Sequence, residues 1–116
     1  MSGVVQYNER LFDTETDTTT SKAVYIGGST GHFSMTDVTL VGTTPNITLT
    51  YSLSDSRDGT FVTPSDAVDI VTYAAATANN TINFTPLLNR FIKIIATKNS
   101  GTITDFSANL TFTEGT

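Results

Sequence analysis

The chain has 116 residues, enough for one domain with a modest core, and carries a formal net charge of −5 from eleven acidic and six basic residues. That balance excludes a basic footprint for double-stranded nucleic acid, and the absence of cysteine excludes disulfides and thiolate metal sites. Hydrophobic residues at 38% and charged residues at 15% are both low, and Thr, Ser and Asn fill the difference, a composition suited to pleated, half-buried β structure.

The opening residues, MSGVVQYNERLF, lack the apolar core of a signal peptide, and no apolar run approaches membrane-spanning length. The expectation is synthesis in a cytoplasm, no export by the common route and no membrane partner. Asn-x-Thr occurs at Asn46, Asn79, Asn83 and Asn109, a chance frequency in so Thr-rich a chain.

In chain order, Val4–Phe12 reads as a first strand with mixed faces, and Asp13–Ser21 as a polar, acidic connection. Ala23–Ile26 is a short strand closed by Gly27-Gly28. Across Phe33–Val41 the apolar phase slips at Thr36-Asp37, which predicts a β-bulge. Gly42–Asn46, with Pro45, reads as a turn. Ile47–Ser54 alternates without error, and Asp58-Gly59 turns it into a strand at Thr60–Thr63 that Pro64 ends. Asp66–Thr72 reads as a short strand, Tyr73–Asn80 as a loop and Thr81–Phe84 as extended. Pro86–Asn89 is a turn before the strongly apolar strand Arg90–Thr97. Asn99-Ser100-Gly101 then turns into Ile103–Phe112, with Phe106, Ala108, Leu110 and Phe112 inward and Asp105, Ser107, Asn109 and Thr111 outward. The sum is an all-β, antiparallel jelly-roll β-sandwich of about eight strands, a single domain over 1–116. Residues 1–21 are expected as an N-terminal strand or an arm that docks on a neighbour.

Two stretches carry resemblances. Tyr51–Pro64, YSLSDSRDGTFVTP, is a strand, a D-G turn and an aromatic-containing strand, and it resembles the middle of discoidin-type, galactose-binding-like domains. Asn89–Thr97, NRFIKIIAT, is similar to the arginine–aromatic strand of the same domains. Phe61 stands where those domains have tryptophan. This resemblance implies a carbohydrate-binding module, with the loop-proximal aromatics Tyr25, Phe61 and Tyr73 facing the ligand. The small, cysteine-free, Thr-rich sandwich with an S-x-DG-x-F hairpin also resembles jelly-roll virion proteins of tailed bacteriophages. That second resemblance implies a structural component of the virion, a capsid decoration (cement) protein or a head–tail accessory protein. It would be a homo-oligomer that binds neighbouring virion proteins such as the major capsid protein.

Candidate chemistry is sparse. His32 is the only histidine, and no nucleophile elbow or zinc spacing accompanies it. Asp13, Glu15 and Asp17 alternate, so an extended backbone would put three carboxylates on one face, which would suit calcium as an oxygen-liganded ion; the competing account is a solvated acidic loop or edge. Asp55, Asp58 and Gly59 are better explained by turn geometry than by a metal loop. Arg57 and Arg90 suit bonds to a carboxylate or backbone carbonyl at the sandwich edge, or a ligand anchor. Gly27–Gly31 lacks the Lys-Ser/Thr pair of a phosphate loop. Phe91, Lys93 and Ile95 lie opposite the apolar face of Ile92, Ile94 and Ala96, so they need cover and are candidates for contact with a partner. No enzyme activity and no cofactor are expected. Of the two implied functions the virion component is favoured, with the carbohydrate module as the alternative.

Overall fold

A computed structural model describes residues 4–115. The described chain is all-β and antiparallel, with seven strands: β1 (Val4–Glu15), β2 (Thr19–Thr20), β3 (Val24–Tyr25), β4 (Ser29–Ser54), β5 (Val71–Tyr73), β6 (Thr77–Phe84) and β7 (Phe91–Gly115). Two of them dominate. β4 has 26 residues and β7 has 25, and they pair along their whole length, from Ser29 opposite Glu114 to Ser54 opposite Phe91. At about 3.3 Å per residue a straight strand of this length would reach roughly 80 Å. The longest dimension of the molecule is 48 Å. Both strands therefore bend sharply.

The bend falls where glycine permits it. Register shifts cluster between Val41 and Ile47 of β4, opposite Lys98–Asp105 of β7. A Cβ on Gly42 would stand 1.9 Å from the Thr102 carbonyl oxygen, and one on Gly101, whose φ is +79°, would stand 2.1 Å from the Thr44 oxygen. Only glycine allows two backbones to approach this closely. The turns expected at Gly42–Asn46 and Asn99–Gly101 are thus two facing corners in continuous strands and do not reverse the chain.

The remaining strands flank this bent pair. β1, β2 and β3 follow one edge of β7 in order, from Val4 opposite Gly115 to Tyr25 opposite Phe91. β6, β5 and the single bridge of Val62 to Leu53 follow the outer edge of β4. The corner divides this four-track ribbon in two. The upper half reads β1–β7–β4–β6, and the lower half reads β2/β3–β7–β4–β5.

One buried cluster takes side chains from both halves. The upper half supplies Phe12, Phe33, Met35, Val38, Leu40, Phe106, Ala108, Leu110 and Phe112. The lower half supplies Val24, Ile26, Ile47, Leu49, Tyr51, Leu53, Ile92, Ile94 and Ala96. Phe112 stacks between Tyr7 and Phe33, with ring centroids 4.5 and 5.1 Å away. The alternation read from Ile47–Ser54 and Ile103–Phe112 holds on the inward side. The bulge at Thr36-Asp37 is present, with Asp37 at φ 50° and the pairing shifted between Met35 and Val38.

Other local expectations need correction. Thr60–Thr63 contributes only the Val62 bridge, because Pro64 removes a ladder donor. Of Asp66–Thr72 only Val71 and Thr72 are in a strand. The composition of Tyr73–Asn80 predicts a loop, yet β6 begins at Thr77, where pairing with Leu40 and Val38 overrides the poor strand propensity of Asn79 and Asn80. Ser107 and Thr111, expected outward, are buried. They lie on the outer face, but β7 is a central strand and its short polar side chains are shaded by β1 and β4. Each finds a partner: Ser107 Oγ accepts from the Thr14 N–H at 2.9 Å, and Thr111 bonds Thr36 at 3.0 Å. Within the stretch 1–21, Val4–Glu15 and Thr19–Thr20 lie in the chain's own sheet, so the acidic connection expected at Asp13–Ser21 shrinks to residues 16–18 and Ser21; the first three residues fall outside the described part.

Candidate functional site

Register brings the chemistry of the lower half to its outer face. In β4 the inward set Ile47, Leu49, Tyr51 and Leu53 leaves Thr48, Thr50, Ser52 and Ser54 outside; in β7 the inward set Ile92, Ile94 and Ala96 leaves Phe91, Lys93 and Ile95 outside. Tyr25 pairs with Phe91, Phe91 with Ser54, and the step from the Leu53–Val62 bridge places Phe61 beside Ser54. A transverse row results: Tyr25, Phe91, Ser54, Phe61. Tyr25 meets Phe91 edge-on at 5.4 Å. Small, buried Ser54 leaves room between the phenylalanines.

The turn after β4 closes over this row. Ser54 Oγ accepts the Ser56 N–H at 3.2 Å, and the Gly59 N–H donates to the Ser56 carbonyl at 3.2 Å, so Asp58-Gly59 serves geometry as expected. Arg57, carried by the turn, lies over the Phe91 ring at 5.1 Å and donates to the Ala23 carbonyl at 3.4 Å. Lys93 lies over Phe61 at 4.4 Å. Each cation–ring contact contributes about 0.5–1 kcal/mol at a partly exposed site. Phe91, Lys93 and Ile95 are half-buried, so Tyr25, Arg57 and Phe61 of the same chain supply part of the cover they need. Val62, the bridge partner of inward Leu53, points to the other side of the sheet and is 60% exposed there. Among the described residues, neither Arg57 nor Lys93 has a carboxylate partner.

Next to this face, a cleft of about 290 Å³ is lined by Tyr7, Glu9, Lys22, Tyr25, Arg57 and Glu114, together with Ala23 and Val24. Glu9 is held at both oxygens, one by Lys22 and one by the Tyr7 hydroxyl. Burial pushes the Tyr7 hydroxyl above its ordinary pKa of 10.0, the Glu114 carboxylate adds to the rise, and Arg57 opposes it. Tyr7 therefore stays a proton donor. The Tyr25 ring lies against Gly27, where a Cβ would stand 2.4 Å from its hydroxyl oxygen. The glycines of Gly27–Gly31 thus make a close approach and a tight turn, in which the Ser29 N–H donates to the Ile26 carbonyl at 3.0 Å.

Other candidates lie elsewhere. Tyr73, expected to face a ligand, stands opposite Ile47, packs against the core and donates to Asn80 at 3.0 Å; burial raises its pKa. His32, at φ 58°, lines a larger cleft of about 420 Å³ with Ser34, Asn83 and Phe84, but no carboxylate joins it there. Asp13, Glu15 and Asp17 do not form a calcium face. Thr14 at φ 55° breaks the extended alternation, Asp13 pairs with Arg10 at 3.5 Å, and Asp17 pairs with Lys98 at 3.9 Å. Among the described residues no three His, Asp or Glu side chains stand close enough to hold a metal. The Arg90 carbonyl accepts from Ile26 at 2.7 Å and its side chain is exposed.

The residues of the face that sequence reasoning missed as a unit are Arg57 with Phe91 and Lys93 with Phe61. Each residue stands out singly in the sequence, but no spacing signal links positions more than thirty residues apart. No protein-family model matches the chain, and no curated protein matches its sequence.

Proposed function

We propose that this chain is a structural protein that works by binding: a jelly-roll β-sandwich serving as a bacteriophage virion component, either a capsid decoration protein or a head–tail accessory protein. The jelly-roll reading is supported by the four-track ribbon, since a ribbon of antiparallel tracks folded across its middle yields two four-stranded sheets facing one core. Such folds host viral capsid proteins and lectins alike, so function has to be argued from the site. One observation carries the structural reading. The outer face of the lower half combines half-buried Phe91, Ile95 and Phe61 with two cations without carboxylate partners among the described residues. That is the make-up of a protein-docking face: aromatic and arginine anchors with a polar surround. The partner is a neighbouring virion subunit such as the major capsid protein, or a second copy of the chain. A net charge of −5 suits the outside of a particle better than its DNA-filled interior.

The test is quantitative mass spectrometry of purified particles that carry this gene. The chain is expected in many copies per particle, with incorporation reduced in an R57E/K93E variant that still folds. Particles lacking the chain would refute the proposal. A second reading, a carbohydrate-binding module, is favoured by one specific observation: Tyr25 and Phe61, two of the three aromatics implied by the galactose-binding-like resemblance, lie in one row on one face.

A further inference from the structure

We propose that the cleft beside Tyr25 is a site for one ring of a neutral saccharide, with Tyr25 as the stacking platform and Glu9, Lys22, Arg57 and Glu114 as the hydroxyl-binding groups. This inference rests on the carbohydrate reading and narrows it to a place and a ligand class. The first argument is the platform. Tyr25 is 50% exposed, yet its ring is not free to swing. Gly27 lies under its hydroxyl end, where any Cβ would collide, and the Phe91 ring packs against it at a steep angle with centroids 5.4 Å apart. An exposed aromatic held in one place offers contact area at low entropic cost.

The second argument is the polar lining. Two carboxylates face two cations, so the cleft has no net formal charge and suits an uncharged, polyhydroxylated ligand rather than an anion. Carboxylates accept, and guanidinium and ammonium groups donate; together they match hydroxyls, which do both. These groups are already oriented. Glu9 is pinned by Lys22 and Tyr7, and Arg57 by the Ala23 carbonyl and the Phe91 ring. The third argument is size. At about 290 Å³ the cleft lies just below the roughly 300–1,000 Å³ of sites for drug-sized ligands, which leaves room for one sugar ring.

The faces of Phe91 and Phe61 already carry Arg57 and Lys93. They are poor platforms, and Tyr25 is the one that remains.

The experiment is saturation-transfer NMR on the full chain with methyl glycosides of galactose, glucose and mannose, and with galacturonate as the charged comparison. At least one neutral glycoside is expected to bind. Tyr25→Ala should weaken it about tenfold or more, whereas Tyr25→Phe should keep most of the affinity. Gly27→Ala should weaken it as well, by displacing the ring without touching the sugar. Glu9→Gln should lower affinity several-fold, and Tyr73→Phe should leave it unchanged; a two-dimensional amide spectrum of each variant verifies its fold. If no glycoside binds the wild-type chain, the carbohydrate reading itself is overturned. If one binds and Tyr25→Ala retains it, the site is wrong while the reading stands. Tighter binding of galacturonate than of every neutral glycoside would overturn the ligand class.

Discussion

Replacing Gly42 by alanine tests the central feature of the fold, the facing corners in β4 and β7. The added Cβ would stand 1.9 Å from the Thr102 carbonyl oxygen, 2.9 Å from its carbon and 3.0 Å from the Ile103 Cα. All three atoms are backbone of the paired strand, so no side chain can swing aside. Relief requires the two strands to part at the line where both halves of the core meet. Overpacking of this kind costs about 1–3 kcal/mol and at times more, and the backbone contact places this substitution at the upper end, about 3 kcal/mol. For a chain of this length that lowers the melting temperature by roughly 10–15 °C. Gly28→Ala is the control. Its nearest neighbour is the Glu114 side-chain oxygen at 3.6 Å, an ordinary contact, and it is expected to be neutral or slightly stabilising. Thermal melts followed by circular dichroism separate the two. If Gly42→Ala melts with Gly28→Ala, residues 42–46 form a loop with open space around them and the facing corners do not exist.

Ser21→Ala should destabilise by about 1–3 kcal/mol in urea titrations, because the buried Ile94 N–H donates to Ser21 Oγ at 2.9 Å and would lose its acceptor. Stability should also fall in alkali. Tyr7 has a folded pKa raised above 10.0, so its folded state holds the proton longer than the unfolded chain does. That contribution is fully present below pH 10 and is lost as pH rises through the folded value. Tyr7→Phe should flatten this part of the alkaline stability profile, and an unchanged profile would show that the hydroxyl environment is misassigned.

Much of the local pattern was legible in the sequence because it depends on neighbours two residues apart. The alternation in Ile47–Ser54 and Phe106–Phe112, and the slip at Thr36-Asp37, follow from pleating and from what a bulge does to it. The corners were not legible. Gly42, Pro45, Asn99 and Gly101 are the residues of a chain reversal and equally of a sharp bend, and which one occurs depends on whether the paired strand bends at the same level. Asn79 and Asn80 misled for a similar reason, since their place in β6 is set by β4. The aromatic face was half legible. The exposed side of Phe91–Ile95 and the Asp58-Gly59 turn were evident, but the cations that cover Phe91 and Phe61 come from a turn and from β7, which lies beyond β4 from Phe61.

By itself, then, the sequence determined the β class, the inward faces of the two long strands and the absence of thiol chemistry. These depend on composition and on a two-residue period. The tertiary structure alone decided that two apparent turns face each other, that β1–β3 and β6–β5 follow opposite edges of one bent ribbon, and that Tyr25, Arg57, Phe61, Phe91 and Lys93 share a surface. Pairing between residues far apart in the chain creates those neighbours, and no local pattern encodes which distant strand arrives beside which.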